Sequence, residues 1–295
     1  MRVLIVGCGD VGQRVVRRLP PRVQVSALLR DAEQAPALRA QGIRPLAGDL
    51  DDAASLQRLA GIATHVVHLA PPPREGEGDP RTQALLQALA RRSVPTALVY
   101  GSTTGVYGDC GGAWIDETRA PAPRTARARR RVAAEAQVRA FGRAAGVHVS
   151  ILRIPGIYAP DRPGGTPRDR LQRGTPVLAT DDDVFTNHIH ADDLAAACIA
   201  ALRYGRGNRA YNVVDDSDLK MAEYFDRVAA AFGLSPPPRL SRGEAEQRMS
   251  PLQISFLRES RRIGNRRLKE ELKMRLAYPT VDDGIRAALQ RSAGC

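Results

Sequence analysis

A glycine-rich turn set directly behind the first apolar run constrains this chain more than any other feature. Residues 3–6 form a short β-branched run, and Gly7-Cys8-Gly9-Asp10-Val11-Gly12 follows at once, opening a stretch of helical spacing over residues 11–19. Glycine at positions 7, 9 and 12 permits a tight turn, close approach of the backbone to a diphosphate, and close packing of helix on strand. The helix start adds free N–H groups and a partial positive charge. Gly7, Gly9, Asp10, Val11 and Gly12 are therefore expected to cradle the pyrophosphate of a dinucleotide. The alternative is a plain glycine turn between strand and helix, and the rest of the chain weighs against it.

The same alternation continues through the first half. Apolar runs at residues 23–29, 43–47, 65–69, 97–100 and 147–154 read as buried strands. Helical spacing separates them at residues 32–40, 53–59, 82–90 and 127–141. Strand following helix in this order predicts an α/β fold, a doubly wound parallel (Rossmann) sheet covered on both faces. Residues 1–154 form the expected dinucleotide-binding domain, to which residues 188–214 return with a helix at 192–202 and a strand at 211–214. Residues 155–187 and 215–295 form a smaller C-terminal substrate lobe, with loops such as 159–167, a helical stretch at 219–232 and a last one at 281–289. Ligands of open α/β sheets sit beyond the carboxyl ends of the strands, so such a lobe would close the cleft.

Composition excludes other classes. A chain of 295 residues with 43% hydrophobic and 26% charged residues can build a real core. No stretch approaches the ~20 continuous apolar residues of a membrane helix. The apolar start is too short for a secretory signal and runs straight into glycines. Cys8, Cys110, Cys198 and Cys295 lie far apart without C-x-x-C spacing, as in a reducing compartment, so a cytoplasmic location is expected. The net charge of +12 comes from arginine spread among alanines rather than gathered into a patch, and with 4% aromatics there is little to stack bases on. Nucleic acid is accordingly disfavoured as a partner. His188-x-His190 with Asp192 and Asp193 is explained as a strand followed by a helix cap, and no metal is expected.

The residue closing the second strand chooses between coenzymes. An acidic side chain there, roughly 20 residues beyond the glycines, binds the ribose 2′-hydroxyl of NAD, whereas an arginine accommodates the 2′-phosphate of NADP. Arg30 holds that position and favours NADP; NAD remains possible, because Asp31 follows at once. The other reading of Arg30 is a solvent-facing loop cation.

Several further segments resemble the extended and atypical short-chain dehydrogenase/reductases, the superfamily of nucleotide-sugar epimerases and dehydratases. Gly48-Asp49-Leu50 is similar to the family's G-D-L segment, and His65-Val66-Val67-His68-Leu69-Ala70 to its fourth-strand signature. Gly101-Ser102-Thr103-Thr104-Gly105-Val106-Tyr107-Gly108 resembles S-T-x-x-V-Y-G, Leu152-Arg153-Ile154-Pro155-Gly156-Ile157-Tyr158 resembles L-R-x-x-x-I-Y, and Ile189-His190-Ala191-Asp192-Asp193-Leu194 resembles I-H-V-D-D-L. The resemblance implies that Asp49 and Leu50 meet the adenine, that Leu69 and Ala70 pass close to the coenzyme, that Pro155 and Ile157 lie beside the nicotinamide, and that the Thr103 hydroxyl bonds the substrate. It also implies pairing as a homodimer through helices beside the sheet. The three-glycine spacing departs from the extended family's G-x-x-G-x-x-G and points to an atypical subgroup.

One family element is missing. A Tyr-x-x-x-Lys pair on one helix face normally moves the proton, the lysine lowering the tyrosine's proton affinity. None of the seven tyrosines is followed four residues later by lysine. Anchoring on Ala134-Glu135 puts Arg127 at the tyrosine position and Arg131 at the lysine position. Two readings stand: the arginines clamp an anionic coenzyme or substrate group, since guanidinium forks suit phosphate and carboxylate, or Arg124 to Arg131 is a solvated basic face. Tyr107 and Tyr158 are candidate substitute donors, though both read better as packing residues. The chain is thus expected to be an NADP-dependent oxidoreductase or epimerase acting on a polar or anionic small molecule, with a nucleotide-linked metabolite among the options. The second reading is a nonenzymatic dinucleotide-binding sensor or scaffold.

Overall fold

The computed structural model describes residues 1–293. Seven parallel strands make the central sheet: β1 (Arg2–Val6), β2 (Gln24–Leu29), β3 (Arg44–Ala47), β4 (His65–His68), β5 (Ala97–Thr103), β6 (His148–Ile154) and β7 (Arg209–Asn212). Their spatial order is β3-β2-β1-β4-β5-β6-β7. The chain winds outward from β1 in one direction, then crosses back to β4 and winds in the other. That reversal opens a crevice between the carboxyl ends of β1 and β4, and it places the glycine turn at the switch point.

The sheet is buried on both faces because helices cover both. One layer joins Val3, Ile5, Val67 and Val99 to Val15 of α1 (Asp10–Arg18); the other joins Leu4, Val66 and Leu98 to Leu85 and Leu89 of α3 (Pro80–Ala90). Successive side chains of a strand point to opposite faces, so an unbroken apolar run serves both layers. Each such side chain contributes about 1.5–3 kcal/mol on burial. A short helix, α2 (Ala35–Ala40), lies between β2 and β3, while α4 (Ala126–Ala145) and α5 (Ala191–Tyr204) flank β6. Cys198 is buried in this core with Cys8 packed against it, and Cys8, Cys110 and Cys198 are all free thiols; Cys295 lies outside the described residues.

Two local differences from the sequence expectation have clear causes. Residues 53–59 form a 3-10 rather than an α-helix: Asp52 caps it through the Ala54 N–H, and the buried pair Leu56 and Leu59 share the face that three residues per turn provides. The stretch expected to be helical from 219 begins as a two-residue strand, Leu219–Lys220, paired antiparallel with Phe185–Thr186, and only then enters α6 (Met221–Ala231).

Residues beyond β6 add short two-stranded pairs. Gly156–Tyr158 runs parallel to His188–His190, and Val177–Leu178 parallel to Arg239–Leu240. A separate cluster of Tyr158, Leu171, Tyr224, Phe225 and Val228 is closed by Val281 and Ile285 of α7 (Val281–Ala293). Leu268, Leu272 and Met274 instead pack into the sheet's own core. Asp193 ties the C-terminal stretch down by accepting from the Ala277 and Tyr278 N–H groups at 2.8 and 2.9 Å. Among the described residues no helix is long and apolar enough to cross a membrane.

Candidate active site and coenzyme cleft

The glycine turn shows three different demands on its glycines. Gly7 has φ +90°, and a Cβ there would sit 2.5 Å from the Ala70 nitrogen. At Gly12 a Cβ would lie 2.9 Å from the Gly7 carbonyl. Both are required by the protein itself. Gly9 is different: nothing lies within 4 Å of the Cβ it lacks. It lines an open cleft of about 340 Å³ together with Gly7, Asp10, Val11, Gly12, Leu69, Pro155 and Ile157. A cradle that a side chain would fill, set against a helix N-terminus, fits a diphosphate.

The remaining coenzyme candidates, Ala70, Asp49, Leu50 and Arg30, are not among the residues lining this cleft. Ala70 is under Gly7 and donates its N–H to the Val6 carbonyl at 3.1 Å. Asp49 follows β3, with its N–H bonded to Ser55 Oγ at 2.9 Å, and Leu50 packs against the second core layer. Arg30 immediately follows β2 and is exposed. Next to it Asp31, also exposed, caps the following 3-10 turn through the Glu33 N–H. Arg81 bonds Asp51 at 2.5 Å and holds its carboxyl below the usual range, with a smaller contribution from the Arg30 charge.

A second cleft of about 550 Å³ adjoins the first, and Thr103, Pro155 and Ile157 line both. Thr103 ends β5 and caps a 3-10 turn, accepting from the Gly105 N–H at 3.2 Å. Its own O–H has no acceptor among the described residues and borders the junction. Arg127 and Arg131, one turn apart on α4, divide between the clefts. Arg127 lies in the larger one, its guanidinium 4.7 Å from the centre of the Phe256 ring. Arg131 lies in the smaller one, donating to the Gly101 carbonyl at 2.7 Å and to the Tyr100 hydroxyl at 3.1 Å.

The arginine run is therefore not a uniform solvated face. Arg130 is buried and donates to the Gly76 carbonyl, while the exposed Arg129 pairs with Glu77. Tyr107 is fully buried with its hydroxyl bonded to Asn212 at 2.7 Å, and the Tyr158 hydroxyl donates to the Thr280 carbonyl. Burial raises the proton affinity of both phenols. Their hydroxyls are committed to the protein.

Sequence reading missed several groups in the larger cleft. His188, Tyr224, Arg170 and Arg261 line it from four separate segments, and no spacing in the sequence tied them to one site. The His188 ring lies 4.2 Å from that of Tyr224, tilted by 45°; burial lowers its pKa to about 3, and its buried Nδ1 has no hydrogen-bond partner. His190 instead caps α5 through the Asp192 N–H, and no group of side chains among the described residues could hold a metal ion.

Beside His188, burial pushes Asp215 up to about 7; one carboxylate oxygen accepts from the Ser217 N–H and the other is buried without a partner. A carboxyl with folded pKa near 7 and unfolded value near 3.8 binds its proton more tightly when folded, so its stabilising contribution is complete below about pH 4 and lost by about pH 7. Asp215→Asn does not titrate. We expect its melting temperature to match the wild type's at pH 4 and to exceed it progressively up to pH 8; equal gaps at both pH values would rule the shift out.

A parallel sheet in this order, with a glycine turn at its switch point and a second cleft beyond the strand ends, defines the short-chain dehydrogenase/reductase architecture. The chain belongs to the NAD-dependent epimerase/dehydratase family, whose sequence profile matches residues 3–214. Among solved structures it is similar to a functionally unknown conserved protein from Silicibacter pomeroyi, at 31% identity over 98% of each chain with a TM-score of 0.82. It also shares its fold with the UDP-glucose 4-epimerase of Thermus thermophilus solved with NAD, at 24% identity over 100% of each chain and a TM-score of 0.76. The UDP-glucose 4-epimerase of Thermotoga maritima solved with UDP-glucose is 19% identical over 100% of this chain and 99% of its own, with a TM-score of 0.80. No curated protein matches the sequence.

Proposed function

We propose that the protein is an NADP-dependent oxidoreductase or epimerase that acts on a polar, anionic metabolite of nucleotide-sugar size. The observation that carries this reading is the junction of the two clefts at Thr103, Pro155 and Ile157. A nicotinamide there supplies the hydride chemistry. The chain's residues supply position: the glycine turn takes the diphosphate, Arg30 takes the 2′-phosphate, and the Thr103 hydroxyl donates to a substrate oxygen. Arg127 contributes a permanent positive charge to the substrate side, because a guanidinium does not lose its proton in this range. It can bind an anion but cannot serve as the base that the family tyrosine provides.

That last point favours a second reading, a coenzyme sensor without turnover. The two are separated by titrating the protein with NADPH and NADH, then adding nucleotide sugars and small carbonyl compounds while following reduced-nicotinamide absorbance and product epimers. The enzyme reading predicts turnover that Thr103→Val slows, and saturable NADPH binding without turnover of any compound supports the sensor. In either case Arg30→Ala should weaken NADPH roughly tenfold or more and leave NADH nearly unchanged, as expected for one lost charge-assisted contact. Equal affinity for NADPH and NADH in the wild type would overturn the assignment of Arg30.

A further inference from the structure

We propose that Arg162 is a coenzyme-binding residue: held over the glycine turn by a pinned loop, its guanidinium donates to the coenzyme diphosphate. The inference rests on the reading of the smaller cleft as the coenzyme site. It begins with an electrostatic problem. Asp10 is a carboxylate in the first turn of α1, beside the place where a diphosphate would bind. Uncompensated, it would repel that ligand.

The compensation comes from two arginines with different freedom. Arg14 is almost fully buried, and each of its three nitrogens faces a carboxylate: Nε Asp10 at 3.1 Å, Nη1 Asp192 at 2.7 Å and Nη2 Asp161 at 2.9 Å. Buried and absent from the cleft lining, it does not face the ligand's place. Arg162 approaches Asp10 from the other side, Nε to Oδ2 at 3.2 Å, and donates Nη1 to the Ile157 carbonyl at 2.9 Å. Its Nη2 has no partner among the described residues, and the side chain lines the cleft with the glycines. Of a guanidinium's five N–H donors, most are therefore unused at this position.

The loop is built to hold the side chain there. Ala159 donates its N–H to the Gly165 carbonyl and Gly165 donates to the Arg162 carbonyl, closing residues 159–165 on themselves. A Cβ at Gly165 would lie 2.4 Å from Arg162 Cγ, so glycine lets the arginine stem lie across it. The Asp161–Arg14 pair then anchors the loop to α1. With Arg18 on Asp192, three guanidiniums and three carboxylates meet here and the network is neutral. Removing Arg162 leaves a net negative charge beside the diphosphate position as well as deleting a donor.

Calorimetric titration of the full chain tests this with NADPH, ADP-ribose and adenosine 2′-phosphate, the last lacking a diphosphate. Arg162→Gln should weaken NADPH and ADP-ribose roughly ten- to hundredfold and leave adenosine 2′-phosphate unchanged, the loss expected for a charge-assisted contact to phosphate. Arg162→Lys should recover part of the affinity, since it restores the charge without the fork. Diphosphate affinity within twofold of wild type in Arg162→Gln, or an equal loss for all three ligands, would overturn the proposal and leave the cleft assignment standing. Failure of the wild type to bind NADPH, NADH and ADP-ribose would overturn both.

Discussion

Gly9→Val is expected to abolish coenzyme binding while leaving the fold untouched. The Gly9 backbone, φ −78° and ψ −155°, is open to any residue, and nothing lies within 4 Å of the added Cβ. The variant should thus melt within a degree or two of the wild type, with the small gain that restricting an unfolded glycine brings. Its branched side chain would stand where the diphosphate must meet the helix N–H groups. Losing two such contacts costs roughly a hundredfold or more in affinity. Gly7→Ala provides the contrast: its positive φ and the 2.5 Å approach to the Ala70 nitrogen make it a folding defect first. Calorimetry and thermal melting on both variants check this. A Gly9→Val protein that still binds NADPH as the wild type does would show that the diphosphate is not held by this turn.

The second large effect is on stability. Glu135 and Arg153 form a buried pair, bonded at 2.8 and 3.1 Å, and Glu135 also accepts from the Ser102 hydroxyl at 2.6 Å. Glu135→Ala would strand the arginine and the serine away from water. Such an uncompensated buried charge costs about 3–5 kcal/mol. In a protein of this size that is on the order of a 10 °C fall in melting temperature. Replacing both partners with apolar residues, Glu135→Leu with Arg153→Met, should recover much of the loss, because no charge is then left unpaired. A single Glu135→Ala variant as stable as the wild type would show that water reaches the pair. The site is tied to this pair through one peptide unit, since Ser102 precedes Thr103.

How far the site could be read from sequence depended on how local its determinants are. The glycine turn, β1 and α1 are contiguous, and the demand on Gly12 arises within a dozen residues, whereas that on Gly7 comes also from Ala70 beyond β4. Thr103, Pro155 and Ile157 entered through the resemblance of their segments to family motifs; the structure sets Thr103 at the end of β5 and Pro155 directly after β6. The alternatives for the basic run were not separable by spacing. Its residues diverge because neighbouring positions on a helix point about 100° apart, so that Arg130 meets the Gly76 carbonyl, Arg131 the Gly101 carbonyl, and Arg127 the Phe256 ring.

By itself the sequence determined the alternation of strand and helix, the switch-point turn, and the absence of a Tyr-x-x-x-Lys pair, because these depend on periodicity and short spacing. Only the tertiary structure decided which side chains share a cleft. Arg162 reaches Asp10 across 152 residues of chain, and His188, Tyr224 and Arg261 converge from a strand, a helix and a loop far apart in the sequence. Contacts of that kind are set by how layers pack, and packing leaves no regular trace in the order of residues.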